Sequence, residues 1–152
     1  MVIEKIFFSL NCNKRTMTES VNCVLLVDDD KATNFFNERV VTRHNGFKKV
    51  NKVYSGLEAL EYLRKASASL DLKPDLIFLD INMPAMNGWE FLSEFEKLDK
   101  TITEDIKVIL LSTSSSPEDV YKSMENHKVN DFINKPLSPD LLDRVLENHF
   151  RN

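Results

Sequence analysis

Leu76-Ile77-Phe78-Leu79-Asp80-Ile81-Asn82-Met83-Pro84-Ala85-Met86-Asn87-Gly88 is the stretch that decides the fold. Four apolar residues in unbroken succession read as a strand covered on both faces, as in a parallel sheet between two layers of helices. The run ends at a carboxylate and passes into a turn rich in Pro, Asn and Gly. A charged group at the carboxyl end of a buried strand stands on the sheet rim, where open α/β folds hold their ligands. Two further strand ends point to the same rim. Val24-Leu25-Leu26-Val27 runs into Asp28-Asp29-Asp30, and Phe132-Ile133 runs into Asn134-Lys135-Pro136. An acidic cluster, a lone carboxylate and a lysine, each delivered by a different strand, suggest a metal-dependent phosphoryl site.

Outward from this stretch, strand-like and helix-like segments alternate along the chain, which favours a parallel sheet with helices on both faces. Val24 to Val27 make the first strand. A helix follows from Asp30 to about His44, with Phe35, Phe36, Val40 and Val41 as its expected apolar stripe. Asn45-Gly46 is expected to end it in a left-handed cap. Val50 to Tyr54 make a second strand, and Ser55-Gly56-Leu57-Glu58 reads as a capping box before a face of Leu57, Leu60 and Leu63. After Gly88 a helix turns Phe91, Leu92, Phe95 and Leu98 inward. Val108 to Leu111 make the fourth strand. Ser116-Pro117-Glu118-Asp119 starts the next helix, with acids near its positive end. Phe132-Ile133 make the fifth strand. Ser138-Pro139-Asp140 opens a last helix whose face is Leu141, Leu142, Val145 and Leu146.

A chain of 152 residues with 42% hydrophobic and 29% charged residues suits one globular domain. The net charge of −4 and the lack of a basic stripe argue against nucleic-acid binding. No apolar run is long enough to span a membrane. Glu4 and Lys5 interrupt the apolar residues near the amino terminus, against a secretory signal. Cys12 and Cys23 lack metal-ligand spacing and read as reduced thiols of a cytoplasmic protein. Residues 1–20 form an extension outside the alternating pattern, and residues 21–152 form the domain.

Taken together, these motifs resemble the receiver domain of two-component response regulators over about Asn22 to Asn148. The resemblance rests on the acidic pair Asp28-Asp29, the Asp80-to-Gly88 run, a hydroxyl after the fourth strand, and Lys135-Pro136. Each alone is weak; all four in this order are specific. The resemblance implies a flavodoxin-like fold with five parallel strands in the order 2-1-3-4-5. It also implies a stand-alone signalling module similar to the chemotaxis regulators.

Asp80 matches the phosphoacceptor, a carboxylate able to form an acyl phosphate. Alone it reads better as a turn cap, and the other motifs beside it reverse that weighing. Asp28, Asp29, Asp80 and the backbone carbonyl of Asn82 match the ligands of Mg²⁺. Like charges about 4 Å apart repel by roughly 4 kcal/mol at an effective dielectric near 20, so converging carboxylates call for a cation. Lys135 matches the lysine that pairs with the acceptor and then with the phosphoryl group, and its bond to Pro136 is commonly cis in the family. Ser112 matches the phosphate-binding hydroxyl, with Thr113 and Ser114 beside it tuning the access of water. Phe132 stands at the aromatic switch position, where a plain core Phe is almost as good a reading.

The implied donor is a sensor histidine kinase or a histidine phosphotransfer protein, and the listener is an unknown downstream protein. The face of the fourth helix, fifth strand and fifth helix is a candidate dimer surface. Two other readings stay open. A dehalogenase-like phosphatase needs a second acid where Asn82 stands, and an asparagine cannot shuttle a proton. A pseudo-receiver would bind partners without phosphorylation, against the intact acidic pair, hydroxyl and lysine. A receiver is expected to be no turnover enzyme.

Overall fold

The computed structural model describes residues 20–69, 71–113 and 116–151. The expectations placed on residues 1–19 and Ser114 lie outside the described residues. Five strands, β1 (Val21–Val27), β2 (Phe47–Val53), β3 (Leu76–Asp80), β4 (Lys107–Ser112) and β5 (Val129–Asn134), alternate with helices. The helices are α1 (Lys31–Arg43), α2 (Gly56–Ala66), α3 (Gly88–Glu96), α4 (Pro117–Glu125) and α5 (Pro139–Val145). A single helical turn, Lys100–Thr103, lies between α3 and β4, and a π-helical turn, Leu146–Phe150, extends α5. The strands pair in parallel in the order β2-β1-β3-β4-β5, as expected.

Alternate residues of the buried strands feed two cores. Ile77 and Leu79 of β3 join Leu60 and Leu63 of α2 and Phe91, Leu92 and Phe95 of α3. Leu76 and Phe78 join Val41 of α1 and Leu142 and Val145 of α5 on the opposite face. The period of two that is invisible in the composition of β3 is thus present in its packing. Every side chain of β3 is buried, Asp80 included.

Both edge strands run longer than their apolar segments. β2 begins at Phe47 and carries Lys48, Lys49, Asn51 and Lys52, and β5 carries Asn130 and Asp131. Their backbones are fixed by pairing with β1 and β4, so polar residues are tolerated and lysines protect an open edge.

The stripe expected on α1 holds at Val41, which is buried, and at Val40, which packs beside it, but not at the two phenylalanines. Phe35 and Phe36 are 53% and 47% exposed, whereas Asn34, Asn37 and Val41 are buried. The face turned to the sheet therefore follows positions 34, 37 and 41. The Asn34 amide justifies a polar group there, since its Nδ2 donates to the carbonyls of Asp28 and Val53, each at 2.9 Å. Leu57 is likewise exposed, and Ala59, Leu60 and Leu63 form the buried face of α2.

Three caps differ in detail from expectation. α1 ends at His44 in an extended conformation, and no glycine among the described residues has a positive φ. Gly46 answers a steric demand instead, because a Cβ there would lie 2.5 Å from Leu146 Cδ1. At α2 the Ser55 hydroxyl accepts from the Glu58 N–H, but the Glu58 carboxylate accepts from the N–H of Tyr54, one residue before the cap. Ser116 holds the cap position of α4 without a side-chain cap bond, and Pro117 supplies the helical start.

Candidate functional site

The carboxyl ends of β1, β3, β4 and β5 converge at one rim. β1 stops at Val27 and releases Asp28, Asp29 and Asp30. The third acid is diverted, since Asp30 caps α1 by accepting from the N–H groups of Ala32 (2.9 Å) and Thr33 (3.4 Å). These bonds hold its carboxyl below the ordinary range. Asp28 is buried, Asp29 exposed and Asp80 buried, and one oxygen of each lies within 4.8 Å of the others.

Lys135 enters from the far side of the rim. Its Nζ is 2.6 Å from Asp28 Oδ2 and 3.2 Å from Asp80 Oδ1. The pairing with Asp80 was expected; the closer one with Asp28 was not. The lysine backbone is itself tied down, because its N–H donates to the Ser112 carbonyl at 2.7 Å. The Lys135-Pro136 bond is cis. Ser112 ends β4 fully buried, opposite Asn134 in the β4–β5 register.

The electrostatics follow from this crowding. Burial, then the charge of Asp28, push the Asp80 carboxyl above its usual value, against the pull of Lys135 and the Asn82 N–H. Burial would lower the Lys135 ammonium, but its hydrogen bond to Asp28 and the charges of Asp28 and Asp80 outweigh that and raise it. Three carboxylates against one ammonium leave two negative charges, the amount that one divalent cation neutralises. All the donors are hard oxygens, which suits Mg²⁺ better than a softer metal.

The turn after Asp80 packs closely against the end of β3. Gly88 donates its N–H to the Ile81 carbonyl at 2.8 Å, and a Cβ on it would lie 2.9 Å from Ile81 Cα and 3.0 Å from the Asp80 carbonyl oxygen. Ala85 absorbs the reversal with a φ of 65°. Asn82 turns its side chain to solvent, and its N–H approaches Asp80 Oδ1 at 3.4 Å. Phe132 lies farther back on β5, half-buried and opposite Leu110, against the core beneath α2 and α3. Sequence reading missed Asn34, whose amide braces the Asp28 carbonyl. A lone polar residue at a core position was its only signal.

The response regulator receiver domain matches this chain over residues 24–147, and the chain belongs to that family. The chemotaxis protein CheY of Thermotoga maritima is 31% identical over 82% of this chain and 91% of its own length. A two-component response regulator from Cytophaga hutchinsonii superimposes with a TM-score of 0.78 at 32% identity, covering 85% of this chain and 96% of that one. The Mn²⁺-bound form of response regulator Rcp1 superimposes with a TM-score of 0.62 at 28% identity, covering 82% and 88%. Two further relatives, a probable cyclic di-GMP phosphodiesterase of Vibrio cholerae and a protein-glutamate methylesterase of Thermotoga maritima, are longer, and the chain spans 29% and 38% of their length.

Proposed function

We propose that this chain accepts a phosphoryl group on Asp80 from a phosphohistidine partner and thereby switches a protein-binding surface. The observation that carries the reading is Lys135, whose ammonium touches both Asp28 and Asp80 while Asp29 completes a set of three carboxylates. In the step, a carboxylate oxygen of Asp80 attacks phosphorus, the phosphorus bond to the donor nitrogen breaks, and the donor imidazole leaves with its electron pair. Lys135 is placed to exchange its contact with Asp80 for one with a phosphoryl oxygen. Ser112, at the end of β4, is placed to donate its hydroxyl to another.

Asp28, Asp29, Asp80 and the Asn82 carbonyl would hold Mg²⁺, whose charge offsets that of the transferring group. The Mn²⁺-bound relative supports a divalent ion in this kind of protein. The inward pull on Ser112 would favour a population with Phe132 repacked, which a downstream protein would read. A sensor histidine kinase or a histidine phosphotransfer protein is the donor class that the chemistry fits. The exposed amide side chain of Asn82 offers no proton-transfer group for repeated hydrolysis, so the chain acts as a signalling module rather than a turnover enzyme.

Acetyl phosphate with Mg²⁺, followed by intact-mass measurement, tests the reading. One phosphate should add, with acetate released, and Asp80→Asn or chelation should abolish or strongly reduce it. An unmodified wild-type mass, or an adduct on Asp80→Asn equal to that of wild type, would overturn the proposal.

A further inference from the structure

The helices on either side of the β3–β4 rim are held very differently. α3 buries Phe91, Leu92 and Phe95, and its first residue, Gly88, lies against the backbone of Asp80 and Ile81. α4 buries only Ser123; Val120 is half-buried, and Tyr121 and Met124 are 65% and 79% exposed. Between the two helices lies an open cleft of about 530 Å³, bordered by Ser93, Glu96, Tyr121 and His127. A helix with so little buried apolar surface is inexpensive to reposition.

One residue bridges the firm helix to the loose one. Trp89, the only tryptophan of the chain, follows Gly88 directly. Its half-buried indole packs on the α2–α3 core, and its Nε1–H donates to Asp119 Oδ1 at 3.2 Å. Lys122, one turn further along α4, places its ammonium 5.9 Å from the centre of the same ring. Asp119 lies in the first turn of α4, seven residues after Ser112. The indole therefore ties the element anchored on Asp80 to the element that follows Ser112.

We propose that Trp89 is a latch that holds α4 in its unphosphorylated position and so restrains phosphorylation of Asp80. The inference rests on the phosphoacceptor reading and adds a positioning residue to it. If phosphorylation displaces α4, the indole bond is present in one state and weakened in the other. Asp80 then reacts through the population in which the latch is open, so a bond that favours the resting position slows uptake by lowering that population. A hydrogen bond to a carboxylate is strong enough for its loss to shift such a balance about fivefold.

The test measures the rate of phosphate uptake from acetyl phosphate by intact mass in four proteins. These are wild type, Trp89→Phe, Asp119→Ala and Asp119→Asn. Asn keeps an acceptor oxygen for the indole but removes the charge, so it separates the bond from electrostatics. Trp89→Phe and Asp119→Ala should each take up phosphate about fivefold faster. Asp119→Asn should stay close to wild type, and amide exchange over 120–125 should rise in Asp119→Ala alone of the two Asp119 variants. Wild-type rates in Trp89→Phe and Asp119→Ala would overturn the latch while leaving the phosphoacceptor intact, as would equal acceleration in Asp119→Asn. A wild-type chain that takes up no phosphate would overturn both.

Discussion

Lys135 Nζ lies nearer to Asp28 Oδ2, at 2.6 Å, than to Asp80 Oδ1, at 3.2 Å. The lysine is thus anchored on the acid that is not proposed to react, and its second contact is the one available for exchange. Lys135→Met should leave two crowded buried carboxylates without their cation. Removing one partner of a buried ion pair costs on the order of 3–5 kcal/mol. Urea denaturation in chelator should show that loss, and millimolar Mg²⁺ should restore part of it.

Asp80→Asn should act in the opposite sense. The Asp80 carboxyl has a raised proton affinity in the folded state, so its ionised form costs stability at neutral pH. As pH falls through the raised value towards the ordinary one, that cost is relieved. In chelator at pH 7 the variant should melt higher than wild type, by on the order of 2–4 °C. The gap should close below the ordinary carboxylate range and should shrink when Mg²⁺ is added. Thermal melts across pH 3–8 check the sign.

The buried amide of Asn34 and the exposed ring of Phe36 give a paired comparison. Asn34→Leu would remove both donors from the Asp28 and Val53 carbonyls and should cost about 1–3 kcal/mol. It should also weaken Mg²⁺ binding, because it loosens the backbone that carries Asp28. Phe36→Ser should change stability by no more than about 0.5 kcal/mol. Chemical denaturation of the two proteins would reverse the roles if Phe36 were the core residue.

Gly88 has no room for a methyl group. Gly88→Ala would press a Cβ against backbone atoms of Asp80 and Ile81, which cannot rotate away. The strain should cost about 1–3 kcal/mol and slow phosphate uptake by displacing Asp80. Unfolding and intact-mass rates on the same sample check both parts.

The sheet and its rim were legible because their signals are continuous in the chain. Leu76 to Asp80 reads as one buried strand, Asp28 and Asp80 each follow an apolar run directly, and Lys135 stands one residue beyond another. The edge strands were only half legible, since neighbouring backbones rather than side chains set the extent of β2 and β5. The stripe of α1 misled because hydrophobicity favoured Phe35 and Phe36, while the burial of Asn34 depends on two carbonyls that only the fold brings together. The Trp89–Asp119 bond was not legible for the same reason, as it joins two helices 30 residues apart in sequence.

The most direct test of the account is to locate the phosphate. After reaction with acetyl phosphate and Mg²⁺, borohydride reduces an aspartyl phosphate to homoserine, and peptide sequencing by mass spectrometry shows which residue has changed. Homoserine at position 80, lost on chelation, is the expected result. Homoserine at position 28 or 29, or none at any position, would contradict the account.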